Sequence, residues 1–186
     1  MKAIDALLQR RSARALKDPA PEPAVLELIL ESAARAPDHG RLRPWSFIVV
    51  RGAGRARFGE LLAGHLRRTS GSATEDSLQR EREKALRAPV IIVVTAICNT
   101  FVKVPPIEQV LAAGAAAQNI MLASFALGFN AMWKTGAPAY DEAVKSALGL
   151  EPKDAVVGFI YLGTDVAGGG SPSRQPPHYR VQYWDE

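Results

Sequence analysis

The chain has 186 residues, 47% hydrophobic and 23% charged, enough for one ordinary globular domain whose core needs no staples. Its formal net charge of +4 is a modest basic excess, as suited to an anionic small molecule as to nucleic acid. The single cysteine, Cys98, excludes an intrachain disulfide, and nothing points to an oxidising compartment.

The opening MKAIDALLQRR holds a short apolar stretch followed by arginines, not a cleavage region, so no secretory signal is expected. Residues 3–9 are predicted to be helical. RRSAR follows, and then the proline-rich DPAPEPA. Val25, Leu26, Ile29, Leu30 and Ala33 recur at helical spacing, which predicts a second helix from Pro23 to Arg35 that stops before Pro37. APDHGRLRP is a loop, and SFIVVR an apolar strand of the kind buried in a sheet.

A turn at Gly52 to Gly54 leads into a helical pattern through Phe58, Leu61, Leu62 and Leu66. TSGSATEDS is a polar break, LQREREKALRA a charged helix facing solvent, and VIIVVTAIC the strongest strand pattern in the chain. Residues 107–127 form a long helix stopped by Gly128. No charge occurs from Gln109 to Trp133, a span long enough to cross a bilayer. Gln109, Gln118, Asn119, Asn130 and several small residues dilute its hydrophobicity, so a buried central helix in a cytoplasmic protein is expected. FNAMWK is then a strand, TGAP a turn, AYDEAVKSALGL a helix and AVVGFIYLG a buried strand. With no repeat and no linker, residues 1–186 read as one domain. Its fold class is α+β, an α/β sandwich around a small central sheet flanked by helices.

The three histidines lack metal spacing, no GxSxG is present, and GAGRAR lacks the third glycine of a dinucleotide loop. Three polar clusters remain beside apolar structure. Arg10, Arg11, Ser12 and Arg14 form either a solvated helix end or a set of donors converging on a phosphate. Arg35, His39, Arg41, Arg43 and Trp45 sit in a loop before a buried strand, where they form a surface connection or offer donors at an apolar edge. Lys134 and Thr135 interrupt the apolar run MWKTGAP just before a glycine turn, as a plain strand end or as part of a site.

Taken in order, Arg10-Arg11-Ser12, Ala36 to His39, Pro44-Trp45, Arg87 to Pro89, Trp133 to Gly136 and Gly158 to Thr164 resemble the nitroreductase family. The similarity is strongest to its short, minimal NAD(P)H nitroreductase branch. The resemblance implies a mainly antiparallel sheet and a homodimer with two FMN molecules at the subunit interface. It further implies ping-pong hydride transfer from NADH or NADPH through FMN to a nitroaromatic, quinone or similar acceptor. By position, Arg10, Arg11, Ser12 and Arg14 match FMN contacts from one subunit, and Arg35 and His39 contacts from the other. Trp133, Lys134 and Thr135 complete the pocket. Ala123, Ser124, Phe125, Ala126, Leu127 and Gly128 match a stretch that touches the nicotinamide cofactor.

The role expected for Arg10 or Arg14 is at the pyrimidine end of the flavin, with Lys134 and Ser12 toward its phosphate or ribityl chain. Cations there stabilise reduced flavin, and no side chain need act as acid or base during hydride transfer. Arg174 and Arg180 stand in a tail whose match to the family's C-terminal basic residues is open. Two other readings compete. One is an FMN enzyme of this fold that performs oxygen-dependent oxidation or cleavage. The other is a basic nucleic-acid-binding protein, disfavoured by 7% aromatics and the absence of a nucleic-acid motif.

Overall fold

The computed structural model describes residues 1–166 and 178–185, so Arg174 lies outside the described residues. The sheet is organised around β3 (Val90–Ala96) and β5 (Ala155–Asp165), antiparallel from Val90↔Leu162 to Ala96↔Ala155 with a bulge after Val94. Strand β2 (Trp45–Arg51) pairs with the outer side of β3. On the other side of β5 lie β4 (Asn130–Lys134) and, further along, the two-residue β1 (Leu16–Lys17). Among the described residues every pairing between these five strands is antiparallel, as the resemblance implies.

VIIVVTA is buried throughout because both faces of the sheet are covered. A strand sends alternate side chains to opposite faces. Ile91 and Val93 therefore join Phe58, Leu62, Met132, Phe159 and Tyr161 in one core. Val90, Ile92 and Val94 join Leu26, Ile29, Ala117, Ile120 and Leu162 in the other. The first core lies under α3 (Gly54–Thr69), with α4 (Glu75–Lys84) and α6 (Glu142–Ala147) packed beside it. The second lies under α2 (Pro23–Ala33) and α5 (Pro106–Ala126), and α1 (Ala3–Gln9) rests against α5.

Helix α5 is the one described helix long and apolar enough to cross a membrane. Its packing gives another reason for that composition. Ala112, Ala113, Ala116 and Ala117 are buried, small enough to let α2 and the sheet come close. Its polar residues also have internal work. Gln109 accepts from the Asn99 N–H and donates to the carbonyls of Asn99 and Val104, while Asn119 donates to the Ser32 carbonyl on α2. Gly128, at φ +87, takes the left-handed turn after the helix that only glycine adopts cheaply.

Three local readings change. Helix α4 begins at Glu75, inside the stretch read as a polar break, because Thr74 and Ser77 exchange side-chain and backbone hydrogen bonds in a capping box. A serine fills the place usually taken by Glu or Gln, which hides the signature. The helix expected from Ala139 shortens: Ala137–Tyr140 is a 3-10 turn, and α6 starts after Asp141, whose carboxylate accepts the Val144 N–H at 2.8 Å. Strand β1 is too short to show periodicity.

Candidate active site

The RRSAR segment leaves α1 and runs along the end of β4. Ser12 bridges Ala131, and the Ala13 N–H donates to the Ala131 carbonyl at 3.1 Å. Buried Ala13 anchors the segment, leaving Ser12 and Arg14 exposed. Arg14 has no ion pair among the described residues. Arg11 differs. Its Nη2 donates to Asp165 Oδ2 at 2.7 Å, the two side chains are only 16% and 10% exposed, and Asn130 donates to the same oxygen at 3.3 Å. The Arg11 guanidinium is therefore an internal strut between the N-terminal segment and β5. Its Nη2 is committed to Asp165, and Arg11 as an FMN contact stays an expectation of the resemblance.

Trp133 also faces inward. Its Nε1–H donates to the Val157 carbonyl at 3.3 Å, and its ring packs with the core beneath α2 and α5. The next three residues, Lys134, Thr135 and Gly136, are exposed. Gly136 has φ +111, a conformation that requires glycine and turns the chain away from β4.

These three residues form one wall of a cavity of about 420 Å³. Its apolar lining comes from Leu62, Leu66, Phe159 and Tyr161, and its polar lining from His65, Glu81, Lys84 and Arg87. Lys84 and Glu81 are ion-paired one helical turn apart. Burial pushes the Tyr161 hydroxyl up to about 12, although Arg87 pulls the other way, so it remains a neutral phenol at ordinary pH. Cations around a largely apolar cleft are a chemistry suited to a flat, aromatic, electron-rich ligand. The sequence reading missed Glu81, Lys84 and His65. On a charged helix the first two look like any surface pair spaced by three residues.

Behind this wall, Asp141 accepts from His65 Nδ1 at 2.8 Å and from Arg68 Nη2 at 3.0 Å. Burial alone raises the carboxyl, but the bonds from His65, the Val144 N–H and Arg68 outweigh it and hold the group at about 2. A carboxyl depressed in the folded state adds stability above its unfolded value, and that stability is lost as pH falls through the folded value. Asp141→Asn is therefore expected to flatten the loss of stability between pH 3.8 and about 2, measured by chemical denaturation at stepped pH. A wild-type slope in that window would contradict it.

Arg35 and His39 are exposed, in ion pairs with Glu31 and Glu108. Glu108 is in the first turn of α5, whereas Ser12 and Ala131 lie just past its far end. From Glu108 to Ser124 the helix rises about 24 Å. One chain therefore does not bring His39 to Ser12. The loop's Trp45 packs against the core, and the Arg43 N–H is held by the Asp38 carboxylate.

The stretch Ala123–Gly128 has a structural account. Ser124 is fully buried and donates to the Ile120 carbonyl at 2.7 Å, while Leu127 and Gly128 cap the helix. A helix C-terminus presents carbonyls and the negative pole of the dipole, which disfavours a pyrophosphate. Ala126, Leu127 and Gly128 are nonetheless exposed, and contact of this stretch with the nicotinamide cofactor stays an expectation of the resemblance.

A family model described as "Nitroreductase family" matches residues 7–164. The protein named "Putative NAD(P)H nitroreductase YdjA" of Escherichia coli (strain K12) is 39% identical over 164 residues, covering 88% of each chain. A crystal structure of "a putative nitroreductase in complex with fmn" from Desulfovibrio desulfuricans superposes with a TM-score of 0.72 at 29% identity, over 95% of this chain and 92% of that one. A nitroreductase-like family protein from Bacillus cereus superposes at 0.78 with 24% identity, over 95% and 92%, a likeness of fold alone.

Proposed function

The chain belongs to the nitroreductase family, and on that premise we propose that it is an FMN-dependent oxidoreductase. It reduces nitroaromatics, quinones or similar electron acceptors with NADH or NADPH in a ping-pong cycle, and acts as a homodimer with residues 1–186 as one FMN-binding domain. The observation that carries this reading is the cation-lined cleft beside Lys134–Gly136. Bound FMN supplies the hydride chemistry, and the protein supplies binding, orientation and charge.

The residues present fit that group. The cleft offers an apolar floor from Phe159 and Leu62 with Lys84, Arg87 and Lys134 at its polar rim. The pyrimidine edge of a flavin alternates acceptors and an N–H donor. Glu81 and Lys84, an acceptor beside a donor on one turn of α4, match such an edge. Lys134 lines the cleft with Glu81 and Lys84, whereas Ser12, Arg10 and Arg14 do not. The roles expected of Lys134 and the arginines from the sequence therefore exchange: Lys134 adds positive charge where a reduced ring gathers negative charge, and Ser12, Arg10 and Arg14 hold the phosphate and ribityl side. Arg35 and His39 would come from the second subunit, since one chain holds His39 and Ser12 about a helix length apart.

The purified protein is expected to be yellow, or to turn so with FMN, and to bleach when mixed with NADH or NADPH in a stopped-flow cell. A protein that gains no flavin spectrum in excess FMN would overturn the proposal. Lys134→Ala and Lys84→Ala are each expected to weaken FMN retention about tenfold, as for loss of one charge-assisted contact. Arg67→Ala, an exposed α3 residue outside the cleft, is expected to change nothing. Equal retention in all three, read by fluorescence of released flavin, would remove the cleft from the site.

A further inference from the structure

The segment from Lys134 to Asp141 is anchored at both ends, and between them by Ala139, which is buried in the core under α3. At one end Lys134 is paired with Phe159 in the sheet. At the other, Asp141 stands under three donors: His65 Nδ1, Arg68 Nη2 and the Val144 N–H. Between them, Lys134, Thr135, Gly136, Ala137 and Tyr140 are exposed, and Gly136 has no side chain to fix its backbone. On the α3 side the segment is therefore held by the apolar seat of Ala139 and, through directed bonds, by the Asp141 cluster. Both His65 and Asp141 are largely covered, with side chains 11% and 14% exposed, and His65 also lines the cleft. Three donors on one carboxylate are more than capping requires, since Asp141 caps α6 through the Val144 bond alone.

We propose that His65 and Asp141, with Arg68, are positioning residues that hold the Thr135–Gly136 backbone in register with the flavin ring. This rests on the reading that FMN occupies the cleft. The Asp141 carboxylate draws the end of the 3-10 turn Ala137–Tyr140 onto α3, and so fixes how far Thr135 and Gly136 project into the cleft. Small displacements of a backbone wall matter because contacts to a rigid ring depend on sub-ångström placement. The other charged and titratable groups facing this region are Glu81, Lys84, Arg87, Lys134 and Tyr161, all on the cleft wall and none bonded to His65 or Asp141. The cluster thus acts on the wall through one carboxylate.

The test compares FMN dissociation constants, measured by quenching of flavin fluorescence on apoprotein, and flavin midpoint potentials in four variants. Asp141→Asn keeps an oxygen for the Val144 cap but removes the charge. His65→Leu removes the donor, and His65→Asn restores an N–H near the place of Nδ1. Asp141→Asn and His65→Leu are each expected to weaken FMN about tenfold, as loss of an outer support does elsewhere, and to move the potential. His65→Asn is expected to return both to wild type. Lys134→Ala is the reference for a direct contact.

If the wild-type apoprotein does not bind FMN, the flavin reading falls and the positioning role with it. If wild type binds, Lys134→Ala weakens binding, and both cluster variants match wild type in affinity and potential, only the positioning role is overturned. A His65→Asn variant as weak as His65→Leu also overturns it. Far-UV circular dichroism of each apoprotein checks folding. Should His65→Leu fail to fold, Asp141→Asn, which keeps the helix cap, decides.

Discussion

Gly158→Ala is expected to destabilise the protein by about 1–3 kcal/mol, the usual result of forcing atoms into a packed core. It is expected to cost FMN as well. A Cβ at residue 158 would lie 2.1 Å from Nε1 and 2.6 Å from Cδ1 of Trp133, inside any tolerable contact. The indole cannot simply slide away, because Nε1–H is bonded to the Val157 carbonyl and the ring packs against the core under α2 and α5. Relief must come from β4, and Trp133 is followed at once by Lys134, Thr135 and Gly136. The substitution therefore couples a stability loss to a site defect. A shift of several degrees in the calorimetric midpoint, together with reduced bound flavin, is the expected pair. Gly71→Ala, where an added Cβ meets nothing within 4 Å, is the control. A Gly158→Ala protein with wild-type midpoint and full flavin content would show that the Trp133 ring does not set the position of β4's end.

The same contact marks how far the sequence could be read. The run GFIYLG was legible as a buried strand and MWK as another, each from local pattern, and the structure has both. That the glycine of one is the seat for the tryptophan of the other is a relation between residues 133 and 158 on paired strands, with no local signature. The RRSAR segment divides in the same way. Its basic character was plain, but which arginine faces inward depends on pairing with β4 and on Asp165, 154 positions away in the chain. Arg11 and Arg14 look equivalent in the sequence and have different roles in the fold. The cleft itself collects α3, α4, β5 and the turn after β4, so Lys84 and His65 became visible only when tertiary structure set them beside Lys134. What was legible was periodic or capped, like the α5 stop at Gly128. What was hidden was non-local.

The largest effect on function is expected from a change far from the cleft, Leu111→Arg. On the side of α5 turned away from the sheet, Ile107 and Leu111 are 62% and 64% exposed, and on neighbouring α1 Ile4, Leu7 and Leu8 are 56%, 52% and 69% exposed. Large aliphatic side chains exposed on two packed helices are the kind of surface that another protein covers. In the proposed homodimer the cover is a second copy. A two-fold interface would then meet each substituted residue twice, so Leu111→Arg places two unpaired cations in one apolar contact. The wild-type protein is expected to elute at about twice its 20.0 kDa chain mass, and Leu111→Arg at one chain mass. Flavin should leave with the partner. His39 lies by Glu108 at one end of α5 and Ser12 beyond the other, so a monomer holds only part of the proposed FMN contacts. Retention is expected to fall at least about a hundredfold, the effect of losing several contacts at once. Light scattering in line with sizing, with absorbance followed at the flavin band, reads both quantities in one run. A folded Leu111→Arg monomer that still carries a full complement of FMN would mean that one subunit suffices, and the shared pocket would have to be given up.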